Sequence, residues 1–261
     1  MDDMMNYQKA FSRPFQDWTT LGIGYLMTII LVSISLYSQV ILTKPDSLIY
    51  LIPIIVVEII FTILFTGYGL VCASTANDKK LVLPKWENFG DLFVKGFFGV
   101  LITMIYLLPI IIIFIIALLT GIINFTQTAQ LPWKVLIFIF SVLMPLAILT
   151  VYVLYSALIN YSRSWKFSDG FKFSEIMSNA FSMNFFLAML AGSFYASLLT
   201  IGAILIFMAL LVVNQTAAYI IYSILISAAS IVTSITIYTL LGMSYSKISG
   251  TSETTEKTRR R

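Results

Sequence analysis

Six apolar runs, each long enough to cross roughly 30 Å of hydrocarbon as a helix, leave few folds open to this chain. They span about 20–42, 48–72, 97–123, 133–159, 185–213 and 217–244. The third contains the nearly unbroken Leu107–Leu119 stretch, and the fourth opens after Pro132 with Trp133 at the expected interface. Such runs are too long and continuous for the alternating strands of a barrel. Helices, moreover, satisfy their own backbone hydrogen bonds inside a bilayer. The last two runs are long enough to call for tilt or an interfacial extension. The predicted fold class is an all-α integral membrane protein.

Composition excludes the soluble alternatives. Of 261 residues, 59% are hydrophobic and 11% charged, against about 45–50% and 25% in soluble domains. So few charges could not cover a soluble surface, and no stretch is left over for a large soluble domain. The single cysteine, Cys72, excludes an internal disulfide and a cysteine metal cluster. The absence of histidine removes the commonest metal ligand and proton shuttle, and with it Ser-His-Asp chemistry. No phosphate loop, dinucleotide fingerprint or nucleophile elbow is present, and Gly67-x-Gly69 is too short to count as one. The expectation is a protein that is not an enzyme and needs no cofactor or metal. The N-terminus mixes acids and bases and leads into an apolar run too long for a signal peptide.

The bases set an expected orientation. Lys9 and Arg13 precede the first run; Lys79, Lys80, Lys85 and Lys95 lie between the second and third. Arg163, Lys166 and Lys172 lie between the fourth and fifth, and Lys247, Lys257, Arg259, Arg260 and Arg261 follow the sixth. Only Lys44 and Lys134 fall on the opposite face. The positive-inside rule then puts both termini in the cytoplasm of a multi-pass cell-membrane protein. The net charge of +4 reads as bases facing anionic lipid rather than nucleic acid.

Short external turns at about 43–47, 124–132 and 214–216 predict three helical hairpins. Each is preceded on the cytoplasmic side by an amphipathic segment suited to the interface. The first lies within 1–19 and includes Tyr7, Phe11, Phe15 and Trp18. The second, about 86–96, offers Trp86, Phe89, Leu92 and Phe93, with Gly90 and Gly96 breaking continuity into the next span, which predicts a separate helix. The third, about 172–182, offers Phe173, Ile176, Met177, Ala180 and Phe181 opposite Lys172, Glu175 and Asn179. It reads equally well as an extension of the following span. Whether the three hairpins are repeats or a convergent solution stays open at this level. The membrane domain covers 20–245, and the polar tail 246–261 is expected to be disordered.

Glu58 is the one acid deep within a spanning run, in Val56-Val57-Glu58-Ile59-Ile60. An ionised side chain there costs at least about 2.5–3.5 kcal/mol, so it should face the bundle interior, protonated or hydrogen-bonded. It is the candidate intramembrane polar site, as a proton or cation relay, a substrate contact, or a neutral acid bonded to a neighbouring hydroxyl. Pro53, Pro109 and Pro145 can kink their helices, and Asn160 at a helix end most simply satisfies backbone or headgroups.

The stretch Gly67-Tyr68-Gly69-Leu70 is followed by Leu83-Pro84-Lys85-Trp86-Glu87-Asn88-Phe89-Gly90-Asp91-Leu92-Phe93-Val94-Lys95-Gly96. It resembles an uncharacterised family of archaeal and bacterial integral membrane proteins, domain of unknown function 4013. Members carry Gly-Tyr at the end of an early membrane helix, then Leu-Pro-x-Trp, an aromatic-Gly-Asp-Leu-Phe and a glycine at the next helix. Tyr7, Phe11, Pro14-Phe15, Asp17-Trp18 and Gly22 are similar to the family's N-terminal segment. The resemblance spans residues 5–240 and implies a polytopic membrane protein with no assigned activity. Its motif residues Gly67, Tyr68, Pro84, Trp86, Phe89, Gly90, Asp91 and Gly96 form a candidate interfacial element. Within it, Trp86 and Phe89 suit headgroup depth and Asp91 pairs with Lys95 at i,i+4.

Two roles follow from these residues. One is a non-enzymatic membrane-organising or partner-binding protein, with membrane lipids or another membrane protein as partner. The other is a small-molecule or ion transporter, or an accessory membrane subunit of one, using Glu58. A lipid-modifying enzyme is disfavoured by the lack of histidine and of converging acids. Oligomeric state cannot be read from the sequence.

Overall fold

The computed structural model describes residues 7–41, 48–78, 81–120 and 133–259. Lys44, Lys79, Lys80, Pro132 and the expected turns 43–47 and 124–132 lie outside them. The described residues are mostly helical, without strands: α1 (Tyr7–Ser12), a 3-10 turn (Arg13–Phe15), α2 (Trp18–Ile41), α3 (Leu48–Ser74), α4 (Phe89–Leu119), α5 (Trp133–Phe138), α6 (Met144–Ser164), a second 3-10 turn (Phe167–Phe171), α7 (Phe173–Ala180), α8 (Met183–Leu211) and α9 (Gln215–Arg259). Six helices are long and apolar enough to cross a membrane, with α5 and α6 forming one of them.

That fourth span is continuous because a π-turn, Ile139–Leu143, joins α5 to α6. Pro145 has no N–H to give, and the ladder shifts just before it, with the Met144 N–H bonding back five residues to Ile139 O. Pro53 and Pro109 lie within α3 and α4, which run on past them.

α9 is the hub. It packs most extensively against α8 and also meets α1, α2, α3, α6 and the first 3-10 turn. α3 packs more extensively against α4, to which a longer connection joins it, than against α2. Two glycines explain this. A Cβ on Gly67 would lie 2.0 Å from the Leu92 carbonyl oxygen, and one on Gly96 would lie 1.8 Å from that of Ile63. The two backbones therefore touch where only glycine fits. The dominant neighbours are not all partners across short turns.

Packing is uneven along the bundle. Arg13, Tyr68, Leu70, Cys72, Leu83, Ile102, Tyr161, Ile176, Phe185, Leu240 and Leu241 are fully buried near one end, here termed the closed end. Toward the other end α4, α6 and α8 turn large side chains outward, among them Ile112, Leu119, Phe140, Ile148 and Leu205. In a bilayer those faces meet acyl chains. This is the open end.

One expectation is corrected. Residues 86–96 do not form a separate helix: α4 starts at Phe89 and runs unbroken to Leu119. Gly96 is held inside it by packing on α3, and Gly90 is exposed in its first turn. The N-terminal segment packs on α9 with Ala10, Arg13 and Pro14 buried, while Phe15 and Trp18 stay exposed. α9 runs on into the polar tail as far as Arg259. No proline follows Pro145 to stop it, and Glu253 stands four residues before Lys257, a spacing that favours helix. The third segment forms a short helix of its own, α7, which packs on α6.

Candidate functional site

The motif residues divide into a buried and an exposed set. Trp86 is buried and stacks flat on Tyr68, with ring centroids 3.8 Å apart. Phe65 meets the same indole edge-on at 5.6 Å. The indole N–H donates to Thr20 O at 3.1 Å, and the Tyr68 hydroxyl donates to Pro84 O at 2.8 Å. Trp86 is therefore a wedge between α2 and α3 whose polar edge is satisfied. Phe89, Gly90 and Asp91 are exposed. The Asp91 carboxylate pairs with Lys95 at 2.6 Å, and Lys95 also lies 4.4 Å from the Trp165 ring centroid.

Arg13 makes the most connected polar contact at the closed end. Its Nη1 donates to Cys72 O (2.6 Å) and Thr239 Oγ1 (3.0 Å), and its Nη2 donates to Thr75 Oγ1 (2.7 Å) and Val82 O (3.0 Å). One guanidinium thus ties the N-terminal turn to α3, to the 81–88 connection and to α9. Its Nε has no partner, and all four acceptors are uncharged. Burial lowers the Arg13 pKa, opposed by the nearby Cys72, Tyr68 and Asp78; arginine stays charged regardless. Sequence reading counted Arg13 only as a topology signal. Its position between apolar Phe11 and Phe15 is compatible with burial but does not select it.

A second polar knot closes the same end. Asn160 is buried and donates to Asp169 O (2.7 Å) and Glu175 Oε2 (3.4 Å), while its Oδ1 accepts from the Tyr245 hydroxyl. Asn179 donates to Ser156 Oγ (3.1 Å), so on α7 it faces the protein rather than the polar side expected of it. Lys172 pairs with Asp169 at 3.1 Å and Glu175 at 3.7 Å. Hydrogen bonds from Ser164 and Lys172 hold the Asp169 pKa below its ordinary value, and Asp169 raises that of Lys172.

Glu58 lies toward the open end and is half-buried. Its backbone oxygen accepts from Thr62 Oγ1 at 2.8 Å, while its carboxylate meets no partner among the described residues. Thr62 and Thr66 follow at i+4 and i+8 on the same face of α3. Both line a cavity of about 390 Å³ that includes Thr28, Tyr155, Ser230, Ser234 and Tyr238. A second cavity of about 290 Å³ shares Tyr155, Ser230, Ser234 and Tyr238 and adds Thr200 and Thr233. Together they make a cleft among α2, α3, α6, α8 and α9, near the middle of the spans. Glu58 is one turn outside it, and no Asp, Glu, Lys or Arg lines either cavity.

The hydroxyls of this cleft behave in two ways. Thr28 and Thr62 donate to the carbonyl four residues back, as do Ser223, Ser227 and Thr239 elsewhere in the bundle. This back-bond is the ordinary way for a helical Ser or Thr to satisfy its donor. Thr66, Thr200, Ser230, Thr233 and Ser234 make no hydrogen bond among the described residues. Their donors and lone pairs are available to the cavity. The sequence carries a trace of this in the hydroxyl density of Ser227 to Thr239 within an otherwise apolar run.

A profile described as a protein of unknown function, DUF4013, matches residues 48–213 and so covers α3 through α8, including the Gly67–Gly96 motif. Searches of curated proteins and of solved structures return no match. With well over half its length under that profile, the chain belongs to the DUF4013 family of proteins of unknown function.

Proposed function

We propose that this is a non-enzymatic, multi-pass protein of the cell membrane, with both termini cytoplasmic, that binds a membrane-resident partner in its hydroxyl-lined cleft. The observation that carries this reading is the set of five Ser and Thr hydroxyls, on α3, α8 and α9, that line the cleft without a hydrogen bond. A polar group left unpaired in hydrocarbon is costly, and helical geometry offers each of these a back-bond they do not take. The uneven distribution of bases supports the orientation. Native mass spectrometry of the protein released from nanodiscs tests the binding. Wild type should retain a molecule of discrete mass that the Ser230→Val, Ser234→Val double variant loses. Equal masses without any adduct in both proteins would overturn it.

A second reading, transport of an ion or small molecule, is favoured by one observation. The Glu58 carboxylate has no partner among the described residues and stands one turn beyond Thr62 at the cleft. Proton-coupled flux in liposomes, abolished by Glu58→Gln, is the expected result under that reading. Flux that is absent in wild type or insensitive to the substitution excludes it.

A further inference from the structure

We propose that the cleft takes the hydroxyl end of an uncharged, single-chain amphiphile, such as a long-chain alcohol or a monoacylglycerol; this rests on the reading that the cleft binds a membrane-resident partner. Four observations narrow the ligand to that class.

The first is hydrogen-bonding capacity. A Ser or Thr that back-bonds spends its donor and offers only lone pairs. Thr66, Ser230 and Ser234 have spent nothing, so each can donate to a ligand oxygen and accept from a ligand O–H. A hydroxyl group is the ligand function that uses both. The second is charge. The cavity linings hold no cation for a carboxylate or phosphate and no anion for an amine, and an uncompensated charge at this depth is expensive. Fatty acids and phospholipid headgroups are therefore poor fits.

The third is size. Cavities of about 290 and 390 Å³ are at the lower end of ligand pockets. They hold the end of one chain rather than a two-chain lipid with its headgroup. The fourth is the remaining wall. Leu31, Val32, Phe65 and Ile231 border the same space as the hydroxyls, which gives an alkyl chain an apolar surface beside the polar seat. A ligand with one neutral polar end and one aliphatic chain matches both.

The full-length protein in phosphatidylcholine vesicles is treated with a photoreactive hexadecanol carrying a diazirine near its hydroxyl, and in parallel with the equivalent palmitate. Labelled peptides are mapped by mass spectrometry. The alcohol should label the segments containing 62–66 and 230–238, and excess unlabelled hexadecanol should suppress that label. Loss of two hydrogen bonds in Ser230→Val, Ser234→Val should reduce it about tenfold or more, while size-exclusion behaviour and Tm stay those of wild type. Palmitate at neutral pH should label the cleft far less than the alcohol does. If palmitate labels it equally, the ligand class is wrong while the binding cleft stands. If neither probe labels the cleft above the outward faces of α4, or if the label is not competed, both the class and the cleft are wrong. Should the double variant misfold, Thr66→Val and the competition in wild type decide the matter without it.

Discussion

The closed end and the mid-bundle cleft use the same polar side chains for opposite purposes. At the closed end Thr239 of α9 accepts from Arg13 and donates back to Ile235 O. Five residues earlier in the same helix, Ser234 faces a cavity with no partner. Around Arg13, Trp86 and Asn160, polar groups cross-link helices and nearly all are satisfied; the buried Arg13 Nε, Asn179 Oδ1 and Thr236 Oγ1 are exceptions. Around Ser230, polar groups line space. In the first region polar chemistry replaces the hydrophobic drive that helices lack inside lipid, and in the second it is held available. Substitutions should therefore injure stability at the closed end and leave it intact at the cleft and toward the open end.

The largest expected contrast is between two glycines. Gly96→Ala puts a methyl 1.8 Å from Ile63 O, against backbone that cannot yield. It should separate α3 from α4 and abolish the monodisperse folded species on size exclusion in detergent. Gly202→Ala, where nothing lies within 4 Å of the added carbon, should give a wild-type elution profile. Equal behaviour of the two variants would erase the distinction between the ends.

Arg13 comes next. Arg13→Met removes four charge-assisted hydrogen bonds and strands buried acceptors on α3 and α9. Hydrogen bonds to charged groups contribute roughly 1.5–3 kcal/mol each, and these share one side chain, so a loss of about 3 kcal/mol is expected rather than their sum. Thermal unfolding in detergent should show a large drop in Tm, only partly recovered by Arg13→Lys, whose single ammonium cannot span the acceptors that Nη1 and Nη2 reach separately. A Tm unchanged in Arg13→Met would mean the N-terminal turn is not tied in through this group.

The all-α class and the six spans were legible because a bilayer admits few solutions and each run is long and apolar. The Gly67–Gly96 motif was legible as a pattern, but not as a backbone contact, because a glycine's neighbour belongs to another helix. The burial of Trp86 was not legible for a similar reason: an aromatic beside a span suits an exposed or a wedged position alike, and only Tyr68 and Thr20 show that it is wedged. Arg13 was read as a charge count, since composition does not say whether acceptors converge on a base. The cleft was the least legible. A helical serine that back-bonds and one that does not are the same letter.

The smallest effect at the closed end is also the one with a pH signature. Asp17 caps the start of α2: its Oδ1 accepts from the Thr19 and Thr20 N–H groups at 3.0 and 3.2 Å, and its Oδ2 from the Thr20 hydroxyl at 2.6 Å. The Thr20 hydroxyl bond is the main reason its pKa lies below the ordinary value, with the backbone bonds adding to it. A carboxylate depressed in the folded state adds stability above its unfolded pKa of about 3.9, and that contribution disappears as pH falls through the folded value. The Tm gap between wild type and Asp17→Ala should thus be present at pH 7 and narrow on acidification below about pH 4. Asp17→Asn should keep much of the cap and lose the pH dependence. A gap that stays constant down to pH 3 would show that Asp17 acts as a neutral cap only. The mid-bundle cleft has no counterpart to this carboxylate, since tyrosines are the only titratable side chains among the residues lining its two cavities.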